Sequence, residues 1–127
     1  MAVKIKIHTE STGNVPAEII EDKNPETAAA VIKALPIESK VNRWGDEVYF
    51  STNVRQGEEN SQEEVEVGDL GYWPPGKAFC IFFGRTPAST GSKPRAASPV
   101  NVFGRVTGDP KVFVKTRSGE KIRVEKA

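Results

Sequence analysis

Cysteine and histidine are nearly missing from this sequence: Cys80 and His8 are each alone among 127 residues. One cysteine allows no intramolecular disulfide, so nothing points to an oxidising compartment. One histidine and one cysteine far apart exclude the ordinary zinc sites, which need several such ligands at short spacing. A Ser-His-Asp arrangement is excluded too, because His8 has no orienting partner in the sequence around it. Long apolar runs are also lacking. The longest stretch, Ala78 to Phe83, falls far short of the ~20 residues of a membrane helix. The first ten residues alternate apolar and polar instead of forming the apolar core of a signal peptide. Charge of one sign is not in excess: 18 Lys and Arg face 17 Asp and Glu, interspersed, for a net +1. That balance argues against a nucleic-acid binder. No Gly-x-Gly-x-x-Gly pattern occurs, and no phosphate cradle is indicated. The expectation is a cytoplasmic protein of one domain, residues 1–127, with no catalytic set, metal, cofactor, nucleic acid or membrane partner.

What is present is a succession of short strands. Val3, Ile5 and Ile7 alternate with Lys4, Lys6 and His8, the period of a half-buried strand. A turn at Ser11 to Asn14 leads to a second strand near Val15 to Glu21. Asn24-Pro25-Glu26 reads as a helix start, with Asn24 as cap. Ala28, Val31, Ile32 and Leu35 then follow helical spacing until Pro36. Strands at Lys40–Trp44 and Glu47–Thr52 flank the turn pair Gly45-Asp46. Gln56 to Glu64 is polar and acidic and reads as a solvated loop. Val67 to Val106 reads as a strand, a Pro-Gly turn, a strand buried on both faces at Ala78–Phe83, a proline-stiffened loop from Gly84 to Asn101, and a strand from Val102. A closing hairpin is expected from Val112–Lys115 and Lys121–Glu125. Eight strands with Gly and Pro turns and one principal helix indicate a mainly β fold, a closed antiparallel barrel.

Several segments carry a family resemblance. Val102-Phe103-Gly104-Arg105-Val106 is similar to a strand of the cyclophilins, and Asn24 to Pro36 resembles their first helix. Asn42 to Phe50, Gly68 to Gly76 and Pro94 to Asn101 resemble segments of the small prokaryotic cyclophilin-like proteins of unknown function. The resemblance implies an eight-stranded cyclophilin-like barrel. It does not carry prolyl isomerase activity across. The isomerases use an arginine in a Phe-His-Arg strand, a Gln-Gly-Gly, a phenylalanine-rich proline pocket, a tryptophan and a distal histidine. Here Arg43 is preceded by Val41-Asn42, the next strand reads Glu47-Val48-Tyr49-Phe50-Ser51, and His8 lies in the first strand.

The expected function is therefore a non-catalytic module that binds a peptide or small organic ligand. The alternatives are a weak or atypical prolyl isomerase relying on Arg43, or a subunit beside an enzyme of the oxoprolinase or allophanate-hydrolase type, whose parts the cyclophilin-like domains also resemble. Strand alternation puts Phe79, Ile81 and Phe83 on one face and Cys80 and Phe82 on the other, with Cys80 expected to be a buried structural thiol. Tryptophan and tyrosine combine apolar area with a polar tip, which suits a pocket wall. Arginine offers a fork of donors to a carbonyl or carboxylate. The candidate ligand-binding residues are Arg43, Trp44, Tyr49, Tyr72, Trp73 and Arg95.

Overall fold

A computed structural model describes residues 2–127. The strands are β1 (Ala2–Thr9), β2 (Gly13–Ile20), β3 (Ile37–Lys40), β4 (Asn42–Trp44), β5 (Glu47–Ser51), β6 (Gln62–Glu64), β7 (Asp69–Trp73), β8 (Ala78–Phe82), β9 (Arg95–Val106) and β10 (Lys121–Lys126), and the α-helix is α1 (Pro25–Ala34). Every strand pairing is antiparallel. The mainly β character and the principal helix agree with the sequence expectation; the closed eight-stranded barrel does not. The described residues form one ten-stranded sheet in the order β3-β10-β1-β2-β9-β7-β8-β5-β4, with β6 added beside β9. Its two end strands, β3 and β4, do not pair. They are joined in sequence through Val41, whose backbone instead exchanges hydrogen bonds with the turn before β10: its N–H donates to the Glu120 carbonyl at 2.9 Å and its carbonyl accepts from Gly119 N–H at 2.8 Å. The run expected as one strand, Lys40 to Trp44, is thus split at Val41, and the sheet is left unclosed between β3 and β4.

Three further expectations are corrected. Pro110–Lys115 is a 3-10 turn and not a strand; Pro110 suits its first position, and the Asp109 carboxylate accepts from the Lys111 N–H at 3.0 Å. The strand β10 pairs with β1 and β3 instead of closing a local hairpin. The polar stretch before β6 is tied to the fold. Asn24 does not cap α1 with its side chain. Its amide donates to the Val102 carbonyl at 2.8 Å and accepts from the Asn60 N–H at 2.7 Å. The free N–H groups of Glu26 and Thr27 donate instead to the Glu59 carboxylate, at 3.2 and 3.1 Å, where the helix dipole favours an anion. Burial pushes the Glu59 pKa up, but these bonds and the one from the Thr27 hydroxyl bring it below its ordinary value. Buried Asn101 completes the tie, donating to Thr27 Oγ1 and the Gly57 carbonyl and accepting from Glu59 N–H.

The sheet buries apolar residues on both sides. The inner cluster joins α1, through Ala28 and Val31, to one face of all the long strands. Phe79 stands at its centre, stacked on Phe50 at 4.9 Å and edge-on to Phe103 at 5.0 Å between ring centroids. β2 and β9 touch at Gly104: a Cβ there would run into the Glu18 carbonyl and lie 3.2 Å from Ile19 Cα, so only glycine permits this pairing. A smaller outer cluster forms on the opposite face of β8, from Ala78, Cys80 and Phe82 with Val65, Ala96, Val100 and Val102.

Candidate functional site

Alternation along β5 and β8 builds the site. Val48 and Phe50 face inward, so Glu47 and Tyr49 face outward. On β8, Phe79 and Ile81 face inward and Ala78, Cys80 and Phe82 outward. Tyr49 lies opposite Cys80, Glu47 opposite Phe82 across one ladder, and Glu47 opposite Trp44 across the other. β9 contributes Ala96, Ala97 and Val100 from its first half, where it has left β7 to pair with β6. Trp73 at the end of β7 is anchored by its indole N–H, which donates to Ser98 Oγ at 2.6 Å. These eight residues, Trp44, Glu47, Tyr49, Trp73, Cys80, Ala96, Ala97 and Val100, line an open-sided pocket of about 190 Å³. Small side chains make much of its surface and three aromatic rings bound it.

The outer side of β8 is closely packed beside the pocket. Gly71 lies opposite Cys80, and a Cβ on it would come within 3.0 Å of Val100 Cγ2 and 3.3 Å of Phe82 Cε2. The missing side chain lets Val100 and Phe82 settle against the strand.

Glu47 is the chemically distinctive member. Its residue is only 5% exposed, and no ion pair among the described residues includes it. Burial raises its pKa to about 7, and the nearby Cys80 thiol offsets part of that rise. The Cys80 thiol is pushed well above its ordinary value, first by burial and then by the neighbouring Glu47. Cys80 is therefore buried and un-ionised, as its apolar strand suggests, yet it contributes to the pocket surface.

Of the six residues singled out in the sequence, the structure brings Trp44, Tyr49 and Trp73 together and sends the other three elsewhere. Tyr72 points into the inner core, 1% exposed, and its hydroxyl donates to the Val54 carbonyl at 2.6 Å; burial raises its pKa. Arg43 is a clamp. Its guanidinium donates to the carbonyls of Gly45, Val114 and Thr116 at 2.7, 2.9 and 3.1 Å and to Asp46 at 3.1 Å, with Cζ 4.9 Å from the Phe83 ring centroid. Arg95 pairs with Glu63 at 3.1 Å on the strand β6, while its successors Ala96 and Ala97 reach the pocket. Glu47 escaped the sequence reading. The signal for it was a glutamate two residues before Tyr49 on a strand, sharing its face. Cys80, Ala96, Ala97 and Val100 gave no chemical signal at all.

Gly71 to Lys77 spells Gly-x-x-x-x-Gly-Lys, the start of a phosphate-binding loop. Ala78 stands where that loop has Ser or Thr, and the segment is β7 and a 3-10 turn leading into β8, with no helix following. The described residues hold no cluster of three or more His, Cys, Asp or Glu suited to a metal ion. None of their helices is long and apolar enough to cross a membrane.

The family model described as cyclophilin-like matches residues 3–125. The chain belongs to the cyclophilin-like family. Among solved structures, it is similar to the solution structure of a hypothetical protein from Archaeoglobus fulgidus, with 45% identity and a TM-score of 0.81, covering 98% of this chain and 95% of that one. No match was found among curated proteins. This cyclophilin-like chain thus has a relative of nearly equal length, and the small-family resemblance read from its sequence is correct.

Proposed function

We propose that this protein is a non-catalytic binding module, and that the outer pocket between β4, β5, β7 and β9 holds a small organic group, free or carried on a peptide. The observation that carries the reading is the pocket itself: three aromatic side chains around a small-residue surface, with one buried carboxyl. An apolar surface with a few convergent polar groups is the usual build of a ligand site. An apolar cavity of about 150 Å³ is enough to take a benzene ring, and this one is somewhat larger.

Arg43 favours binding over prolyl isomerisation. An isomerase arginine must direct a free donor at the prolyl nitrogen. Here the guanidinium is directed at three carbonyls and a carboxylate of its own chain. A proline-peptide isomerisation assay is expected to show no acceleration over the unaided rate.

The binding test is a fragment screen read by the two indole N–H signals of the protein. The chain has two tryptophans, Trp44 and Trp73, and both line the pocket. Fragments that bind there shift both signals and raise the melting temperature by mass action. Hits that shift neither signal, with none that shifts both, would remove the reading.

A further inference from the structure

A buried carboxyl without a cationic partner needs an explanation, because desolvating a charge is costly unless something pairs with it. Glu47 sits in the pocket wall with its strand neighbours already fixed: Trp44 opposite on β4 and Phe82 opposite on β8. Of the groups lining the pocket, only Tyr49 and Cys80 are titratable besides Glu47 itself, and none is a lysine or arginine. The nearby Cys80 thiol offsets part of the rise in the Glu47 pKa, but its own hydrogen bond runs to the Ala78 carbonyl at 3.9 Å. The remaining walls from β9 are Ala96, Ala97 and Val100, which offer no side-chain donor. The protein supplies an acceptor, or a negative charge, and leaves its counterpart out.

The aromatic walls narrow what that counterpart is. The π-faces of tryptophan and tyrosine attract cations, most strongly where water is excluded, and rings grouped around a buried acid form a favourable site for an ammonium head. An anion would meet both the carboxyl and the ring faces unfavourably. A neutral apolar group would leave the carboxyl unpaired.

We infer that the pocket receives the positively charged head of an alkylammonium ligand, with Glu47 as its counter-charge and Trp44, Tyr49 and Trp73 as its walls. This rests on the pocket being a ligand site, as proposed above. Binding requires the ionised carboxylate. The free protein holds Glu47 near pKa 7, and a bound cation draws that value down. Affinity is therefore nearly full at pH 8 and about tenfold lower at pH 6, where about one carboxyl in ten is ionised.

The test compares three probes of one shape on the intact chain: choline, its uncharged carbon isostere 3,3-dimethyl-1-butanol, and the anion 3,3-dimethylbutyrate. Titrations follow the two indole N–H signals and the intrinsic tryptophan fluorescence. Choline is expected to saturate both readouts, at least tenfold more tightly than the alcohol, with the butyrate weakest. Its affinity should fall about tenfold from pH 8 to pH 6, while that of the alcohol stays flat. Glu47→Gln should erase the preference for choline and its pH dependence and keep the binding of the alcohol. The pH profile of the unaltered protein tests the same point should that variant fail to fold. Equal binding of choline and the alcohol, or tighter binding of the butyrate, would overturn the ammonium inference and leave the ligand pocket standing. Failure of all three probes to perturb either indole signal would overturn the inference and count against the pocket reading as well.

Discussion

The two sides of β8 are built from the same five residues and reach opposite ends. Inward, Phe79 and Ile81 meet Phe50, Phe103 and the other large side chains of a sealed core. Outward, Ala78 and Cys80 are small, Gly71 beside them has no side chain, and the space above is left as a pocket bounded by Trp44, Tyr49 and Trp73. The inner side is filled by large rings, so its contribution is stability. The outer side has rings and an acid lining an unfilled space, so it gives up packing and solvation at one spot. On the proposed reading, that contrast makes the outer face the place where stability is traded for ligand binding.

The sharpest way to break the comparison is at Phe79. Phe79→Ala is expected to cost about 3–5 kcal/mol in urea denaturation, because it empties the centre of the ring cluster. A loss below about 1 kcal/mol would mean that the inner side is not the close-packed one.

Glu47 tests the opposite claim, that the outer side carries a liability. Its pKa in the folded protein, about 7, lies above its ordinary value of 4.5. The folded state therefore holds the proton more tightly than the unfolded chain, and stability falls as pH rises from about 4.5 to 7. The loss is complete above pH 7 and amounts to at most about 3 kcal/mol. Glu47→Gln removes this dependence. The variant should match the parent near pH 4 and exceed its stability at pH 8 by up to that amount. Denaturation curves that shift equally at both pH values would show that the carboxyl is not desolvated.

Arg43→Ala separates a clamp from a ligand group. It removes four hydrogen bonds that hold the end of the 3-10 turn at Val114 and Thr116 and the β4-β5 turn, together with the contact on Phe83. A destabilisation of about 2 kcal/mol is expected, with ligand-induced shifts of the indole signals unchanged. Loss of ligand response without loss of stability would return Arg43 to the site. The smallest effect belongs to Arg95→Ala. Its partner Glu63 is itself 43% exposed, so the change should stay within about 0.5 kcal/mol and leave the pocket intact. Thermal melts and the same indole titration check both.

The legibility of this molecule follows the range of its interactions. The helix appears at Pro25–Ala34 because proline, helical spacing and Pro36 act within a few residues of one another. The division of β8 into two faces was legible because alternation is a local rule. Trp44, Tyr49 and Trp73 were reachable from their chemistry. Arg43 and Tyr72 carried the same kind of chemical signal, yet they serve the fold, since nothing local says that Val114 and Thr116 carbonyls or the Val54 carbonyl will be waiting for them. The acidic stretch before β6 looked solvated because its order comes from the start of α1 and from Asn101, both distant in sequence.

By itself, the sequence determined the strand-rich class, the principal helix, the family and the two-faced character of β8, because each rests on patterns spanning a few neighbouring residues. Tertiary structure alone decided the break at Val41 that leaves β3 and β4 unpaired, the passage of β9 from β7 to β6, and the meeting of Glu47 and Cys80 with three aromatic rings around one pocket. Those depend on which strands come to lie side by side. A carboxyl becomes distinctive only when residues remote from it in the chain remove its water.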